Sequence, residues 1–147
     1  YAHEQGIAEN VKFLGLVERE KMADFYRSGD VLWFPSKPAG VSGMSAESSP
    51  YSVLEALASG VPVVAYRTGG LHEQIQDGVN GYLVEPGDYS RLACRTRQLL
   101  NDEHLRRQMG SAAREECIKR FSHIEMARRY LQVYTASPTS LPGREDA

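Results

Sequence analysis

Apolar residues in this chain fall into short continuous runs, and longer stretches with a helical period separate them. Four runs are short enough for strands, and turn signals flank the last one, Asp77-Gly78 before it and Pro86-Gly87 after it. Continuous apolar runs are typical of strands that are covered on both faces. The pattern therefore predicts four buried strands, at residues 11–15, 31–35, 61–66 and 81–84.

Helical patterns follow each predicted strand, and after the fourth strand the chain is helical throughout. Alternation of strands and helices is the sequence pattern of a parallel sheet with crossover connections. Asp102 and Ser122 are suited to cap the last two helices. The predicted fold class is α/β, a doubly wound, Rossmann-like parallel sheet. The predicted helices span residues 18–28, 52–59, 71–76, 89–100, 102–119 and 122–134.

The boundaries suggest one domain that starts partway through its strand count. Doubly wound domains commonly have six strands, whereas four are predicted here. The opening residues 1–6 resemble the end of a helix that leads into the first predicted strand. We therefore expect the first strands to be missing, residues 1–135 to form a partial domain, and residues 136–147 to be a flexible tail.

Composition excludes several classes of function. The chain has 147 residues, 41% of them hydrophobic, and a formal net charge of −2. This charge gives no broad positive field, so a nucleic-acid partner is not expected. The first residues contain no export signal, which predicts a cytoplasmic location. Cys94 and Cys117 have neither metal-ligand spacing nor a disulfide framework around them, and we expect both to be reduced and structural.

Two glutamates, Glu47 and Glu55, lie eight positions apart on either side of the dipeptide Ser49-Pro50. Serine at the cap and proline at the first helical position favour a helix start here, with a stop at Gly60. Eight helical residues rise by about 12 Å. The carboxylate pair of a glycosidase is about 5–9.5 Å apart, so a hydrolytic pair is disfavoured.

The N-terminus of the predicted helix, here called the helix mouth, lies between the two glutamates and is suited to an anion. Backbone N–H groups of Tyr51, Ser52 and Val53 and the positive end of the helix dipole would face it. A ligand with hydroxyls at both ends and phosphate in the middle, such as a nucleotide sugar, has a matching layout. The alternative remains open at this point, because acidic residues near a helix start also stabilise the helix without any ligand.

Six motifs occur in a consistent order along the chain. Together they make the chain resemble the C-terminal, donor-binding domain of a GT-B glycosyltransferase, specifically the retaining glycosyltransferase family 4, also called group 1. The resemblance covers residues 11–134. The motifs are VKFLG at 11–15, FYRSGDVLWFPS at 25–36, ESSPYSVLEALASG at 47–60, VPVVA at 61–65, TGGLHE at 68–73 and DGVNGYLV at 77–84.

The resemblance implies a role for each acidic residue. Glu55 would accept hydrogen bonds from the ribose hydroxyls of the donor, and Glu47 would be the catalytic-site residue that orients the donor sugar. N–H groups of Tyr51, Ser52 and Val53 would hold the pyrophosphate and stabilise the leaving group. The resemblance also implies transfer of a hexose with retention and no metal or other cofactor, and it places the backbone near Leu14 and Ser36 at the base.

Three departures from the family pattern affect these expectations. The basic pair that binds pyrophosphate and the acceptor-binding domain would both lie upstream of Tyr1, and any peripheral membrane contact would come only from that missing domain. Residues 37–45 lengthen the loop before Glu47, and Pro50 removes one N–H from the helix mouth. The acceptor stays unknown. The alternatives are a non-catalytic nucleotide-sugar-binding or interaction module of the same fold, and a sugar-nucleotide epimerase, whose acid and base residues these motifs do not supply.

Overall fold

The computed structural model describes residues 1–36 and 49–136, and these residues contain a parallel three-stranded sheet in the order β1-β2-β3. Val64 in the central strand pairs with Trp33 on one side and with Tyr82 on the other. Three of the four predicted strands are thus present, and the predicted α/β class with a parallel sheet is confirmed. The strands β1, β2 and β3 span Leu32–Phe34, Val63–Tyr66 and Gly81–Val84.

The prediction of a strand at residues 11–15 is wrong. These residues have no regular secondary structure, and Phe13 and Leu16 are 89% and 97% exposed. The observed order β1-β2-β3 matches strands 4, 5 and 6 of the doubly wound order 3-2-1-4-5-6. In that order the preceding strand in sequence, strand 3, lies at the far edge of the sheet, and two other strands separate it from strand 4. The run therefore has no neighbouring strand to bond within the described residues, and apolar character alone does not form a strand.

Helices pack on both faces of the sheet. The side chains of Asp102 and Ser122 accept hydrogen bonds from the N–H groups of Leu105 and Glu125, at 2.9 and 3.3 Å, which confirms both predicted caps. Two short 3-10 turns precede the first helix, at Ala8–Asn10 and Arg19–Lys21. The helices α1 to α6 span Met22–Arg27, Tyr51–Ala58, Leu71–Gln74, Tyr89–Asn101, Glu103–Phe121 and His123–Thr135.

The core has two layers, because neighbouring residues of β2 point to opposite faces of the sheet. All four residues of β2 are fully buried, as expected for a central strand with helices on both sides. One layer joins Val63 and Ala65 to α2, α3 and α5, and the other joins Val64 and Tyr66 to α4. The first of these layers packs α2 against the sheet.

The end of α2 lies against α5 at two glycines. Gly60 follows the helix with φ of 79°, which confirms the predicted stop. A Cβ atom on Gly110 of α5 would overlap the carbonyl oxygen of Gly60. The two helices approach this closely only because Gly110 has no side chain, and the contact fixes the position of α2.

Candidate functional site

The first turn of α2 lies at the carboxyl end of the sheet, because α2 follows β1 in a parallel unit. The predicted N-cap at Ser49 is wrong. Pro50 occupies the cap position with an extended backbone (φ −69°, ψ 122°), and no side chain caps the helix. The Ser49 hydroxyl instead accepts a hydrogen bond of 2.6 Å from Nε2 of Gln74. The hydroxyl that was expected to cap α2 is therefore bonded to a buried amide.

The first-turn N–H groups differ in their availability. The N–H of Val53 donates to the carbonyl of Pro50 at 3.2 Å, and the Val53 side chain is fully buried. Tyr51 and Ser52 precede it in the same turn, where a helix has no carbonyl of its own to accept their bonds. Because Tyr51 is 80% exposed, this mouth opens to solvent. The predicted anion contact therefore depends on Tyr51 and Ser52 more than on Val53.

Glu55 lies one turn into α2 with an exposed side chain, so its carboxylate is accessible to a ligand. The phenol of Tyr26, in α1, donates a hydrogen bond of 3.2 Å to Oε2 of Glu55. Burial, and then the charge and hydrogen bond of Glu55, raise the pKa of Tyr26 to about 12. Tyr26 thus remains a neutral donor, which holds the Glu55 carboxylate on one side and leaves its other oxygen for a second donor.

The other predicted site residues have different placements. The carbonyl of Ser36, two residues after β1, accepts a hydrogen bond of 3.4 Å from the Thr68 hydroxyl, so Ser36 lies at the same strand ends as α2. Leu14 is 51% exposed, and the hydrogen bonds described for its segment do not tie it to α2. Glu47 lies outside the described residues, and so does most of the predicted tail, from residue 137 onward.

Gln74, which none of the site predictions included, is only 2% exposed. The side-chain amide of Asn80 fixes its backbone by donating to the Gln74 carbonyl at 3.1 Å, and the Asn80 oxygen accepts from the N–H of Gln76 at 2.8 Å. The available signal was its spacing, since Leu71 lies three positions earlier on the same helix face and is buried. A glutamine on this apolar face needs a polar partner, and Ser49 supplies one.

A groove of about 400 Å³ between α2 and α6 begins at the helix mouth, with Ser49 and Tyr51 in its wall. Arg120 and Arg129 flank it, but Arg120 donates to the Glu73 carbonyl and Arg129 pairs with Glu125. The remainder of its wall is largely apolar and comes from Leu54, Phe121, Met126, Tyr130 and Val133.

Residues 1–36 and 49–136 contain neither a membrane-spanning helix nor a metal-binding cluster. No helix in this part of the chain is long and apolar enough to cross a membrane. These residues also contain no group of three or more His, Cys, Asp or Glu side chains arranged to hold a metal ion. Neither Cys94, which is exposed, nor Cys117, which is buried, forms a disulfide, and burial raises the pKa of the Cys117 thiol.

A parallel sheet with helices on both faces is the architecture of a doubly wound α/β domain, in which ligands bind at the carboxyl ends of the strands. The family model for glycosyl transferases group 1 matches residues 1–116. The chain therefore belongs to the group 1 family of glycosyl transferases. The resemblance found in the sequence motifs is confirmed.

Individual relatives agree with this assignment. N-acetyl-alpha-D-glucosaminyl L-malate synthase of Bacillus anthracis is 36% identical over 87% of the chain and 31% of its own length. D-inositol 3-phosphate glycosyltransferase of Xylanimonas cellulosilytica is 36% identical over 97% of the chain and 32% of its own length. The chain thus spans about a third of the length of these curated relatives.

The fold also matches a solved structure, the crystal structure of Anabaena HepE in complex with UDP-glucose. The TM-score is 0.77 at 25% identity, over 90% of this chain and 34% of that one. This match confirms the Rossmann-like half of a GT-B architecture predicted from the sequence.

Proposed function

We propose that this chain is the donor-binding part of a retaining glycosyltransferase that transfers a hexose from a nucleotide-activated donor to an acceptor. The observation that carries the proposal is the exposed carboxylate of Glu55, held by Tyr26 and placed one helical turn beyond an open helix mouth. A carboxylate in this position suits the ribose hydroxyls, and the N–H groups of Tyr51 and Ser52 suit the diphosphate.

Glu47 is assigned to the reacting sugar, whose hydroxyls it orients, and Ser36 to the neighbourhood of the base. The UDP-glucose bound by the similar HepE supports a nucleotide sugar as the donor class. In this proposal negative charge that develops on the leaving diphosphate is stabilised by backbone donors, which is electrostatic catalysis of the leaving group. The proposal requires no metal for binding or transfer, so EDTA should leave both unchanged.

The binding test uses the 147-residue chain and isothermal titration calorimetry with UDP, GDP and ADP. Glu55→Gln removes a charged acceptor, and a hydrogen bond to a charged group contributes about 1.5–3 kcal/mol. We therefore expect the affinity for the best-bound nucleotide to fall by about 10- to 150-fold. Glu103→Gln is the matched control, because Glu103 lies beside Gly29 and Gly60 at the opposite ends of the strands.

A 2′-deoxy version of the same nucleotide isolates the ribose contact. The original chain should prefer the ribose form, and Glu55→Gln should lose most of that preference. Absence of binding by all three nucleotides, with the fold intact by circular dichroism, would refute the proposal. Equal effects of Glu55→Gln and Glu103→Gln would refute the role of Glu55.

A further inference from the structure

We propose that the groove between α2 and α6 holds the apolar chain of the glycosyl acceptor, and that this acceptor is an amphiphile with an anionic head group. This inference rests on the proposed function, because it names the class of substrate that receives the hexose. It assigns part of acceptor binding to this chain, whereas the family resemblance places that binding upstream of Tyr1. The shape, the charge and the position of the groove carry the inference.

The groove is an apolar cleft between two helices, with a volume of about 400 Å³. Its wall includes Leu54 and Phe121, which pack against the core. The α6 side is formed by Met126, Tyr130 and Val133, which recur at positions i, i+4 and i+7 and so lie on one face of the helix. Sites for small molecules are typically concave and mostly apolar, with a few polar groups. A cleft between two helices suits a single alkyl chain better than the surface of a bilayer.

The α6 side of the groove is uncovered in the described part of the chain. No residue of α6 is buried, and Met126, Tyr130 and Val133 are 55%, 57% and 56% exposed. An apolar ligand that covers these side chains removes their surface from water, which favours binding.

The rim of the groove carries positive charge that acidic side chains only partly neutralise. Arg120 donates to the carbonyl of Glu73, which is a neutral group, and no carboxylate in the described part of the chain pairs with it. Arg129 shares the carboxylate of Glu125 with Arg128, so two guanidinium groups are paired with one acid. An apolar groove with a cationic rim is complementary to an amphiphile whose head group is anionic, such as a phosphate ester.

A second copy of the chain fits the same groove less well. Symmetric pairing brings the same surface of both copies together, so the arginines of one rim would face those of the other. Like charges that meet across an interface are unfavourable. An anionic amphiphile covers the same apolar surface and neutralises the rim instead.

The groove adjoins the proposed donor site through Tyr51. This residue lines the groove, and its N–H belongs to the first turn of α2, where the donor diphosphate is assigned. A head group at this end of the groove lies beside the donor. In the transfer, the oxygen of a head-group hydroxyl bonds to the anomeric carbon as the bond from that carbon to the diphosphate breaks. The hydroxyl proton passes to the departing diphosphate, so the products are a glycosylated amphiphile and the nucleoside diphosphate.

The experiment titrates the 147-residue chain with butyl, hexyl and octyl phosphate by isothermal titration calorimetry, at concentrations below micelle formation. Inorganic phosphate, which has no alkyl chain, and octyl glucoside, which has no charge, are the reference ligands. Affinity should rise about two- to fourfold for each added methylene, because each one removes apolar surface from water. Octyl phosphate should bind more tightly than either reference ligand. Equal affinities of inorganic, butyl and octyl phosphate would overturn the inference.

The apolar wall is tested by Val133→Asp, with Leu131→Asp as the matched control. Both residues are exposed on α6, at 56% and 62%, but only Val133 lines the groove. Val133→Asp should weaken octyl phosphate binding about tenfold or more, because it places a carboxylate against the alkyl chain. Leu131→Asp adds the same charge to the same helix and should have a much smaller effect. Equal losses in the two variants would overturn the inference.

The cationic rim is tested by Arg129→Gln, with Arg128→Gln as the matched control. Both arginines pair with Glu125, but only Arg129 lines the groove. Titrations at about 0.15 M salt screen distant surface charges. Arg129→Gln should weaken octyl phosphate binding about two- to fivefold, as expected for an exposed ion pair, and leave octyl glucoside unaffected. Equal effects of the two variants, or an equal loss for octyl glucoside, would overturn the inference.

Sedimentation velocity tests for a second copy in the groove. The unaltered chain should remain monomeric at the concentrations of the titrations. A dimer that Val133→Asp dissociates and Leu131→Asp does not would show that the groove pairs with itself, and this result would overturn the inference.

Titrations with the best-bound of UDP, GDP and ADP separate this inference from the proposed function. An acceptor binds beside the donor, so octyl phosphate should keep its affinity to within about fivefold when the nucleotide is saturating, the range expected for two exposed charges. Complete loss of octyl phosphate binding would mean that it occupies the diphosphate site, and would overturn the inference. If a nucleotide binds and Glu55→Gln weakens it, but no alkyl phosphate binds, only this inference fails. If no nucleotide binds, the proposed function fails, and the acceptor role fails with it.

Discussion

Replacing Tyr26 by phenylalanine tests whether the bond to Glu55 prepares that carboxylate for a ligand. The change removes only the phenolic oxygen, which donates to Glu55 at 3.2 Å. Fixing a flexible side chain on binding costs about 0.5–1.5 kcal/mol. Without the Tyr26 phenol, ligand binding must also fix the Glu55 side chain and bear this free-energy cost. The expected loss of nucleotide affinity is therefore about two- to twelvefold.

Isothermal titration calorimetry with the best-bound nucleotide measures this loss, and Tyr134→Phe is the control because Tyr134 is 78% exposed. Water can replace the phenol at the exposed Glu55, so the stability cost should be close to that of an ordinary hydrogen bond, about 1 kcal/mol in urea unfolding. An unchanged or higher affinity in Tyr26→Phe would refute the reasoning. A higher affinity would mean that Tyr26 competes with the ribose for Glu55.

The same substitution has a pH signature. The folded pKa of Tyr26 is about 12, above the ordinary value of 10.0. Between these two values the folded state keeps the Tyr26 proton and the unfolded state loses it. The contribution of Tyr26 to the free energy of unfolding is therefore fully present below pH 10 and disappears as the pH rises through 12. Stability of the original chain should therefore fall more steeply between pH 10 and 12 than that of Tyr26→Phe. Parallel curves would contradict a perturbed Tyr26.

Two further predictions concern the scaffold. Gly110→Ala should lower the free energy of unfolding measured in urea, because a methyl group at this position would overlap the Gly60 carbonyl. Overpacking costs about 1–3 kcal/mol, which outweighs the helix-propensity gain of about 1 kcal/mol. Equal or greater stability would contradict this packing. A thiol reagent such as DTNB should label the exposed Cys94 quickly and Cys117 only on unfolding, since burial raises the Cys117 pKa and lowers its thiolate fraction; rapid labelling of both thiols in the folded chain would contradict it.

Much of the fold could be predicted from local patterns. The run Gly81–Val84 was predicted with its observed bounds, and the helix stop at Gly60 and the caps Asp102 and Ser122 were confirmed. These features depend on nearby residues alone. An apolar run framed by turn signals, a positive-φ glycine and a capping side chain each act within a few positions of the chain.

The errors occurred where the outcome depends on distant partners. Residues 11–15 have the composition of a strand, but a strand also requires a neighbour to bond. Ser49 has the chemistry of an N-cap, but the buried amide of Gln74, 25 positions away, binds its hydroxyl. The Tyr26 bond to Glu55 joins residues 29 positions apart, and no local pattern specifies it.

The sequence by itself determined the class of this protein: its α/β order, its place in the group 1 glycosyl transferases, and Glu55 as the carboxylate of the helix that follows β1. Only the tertiary structure decided which donors and acceptors meet at the mouth of α2. The physical reason is that hydrogen bonds at the site join α1 to α2 and α3 to the α2 entrance. These partners are brought together by helix packing on the sheet, which is a property of the whole fold.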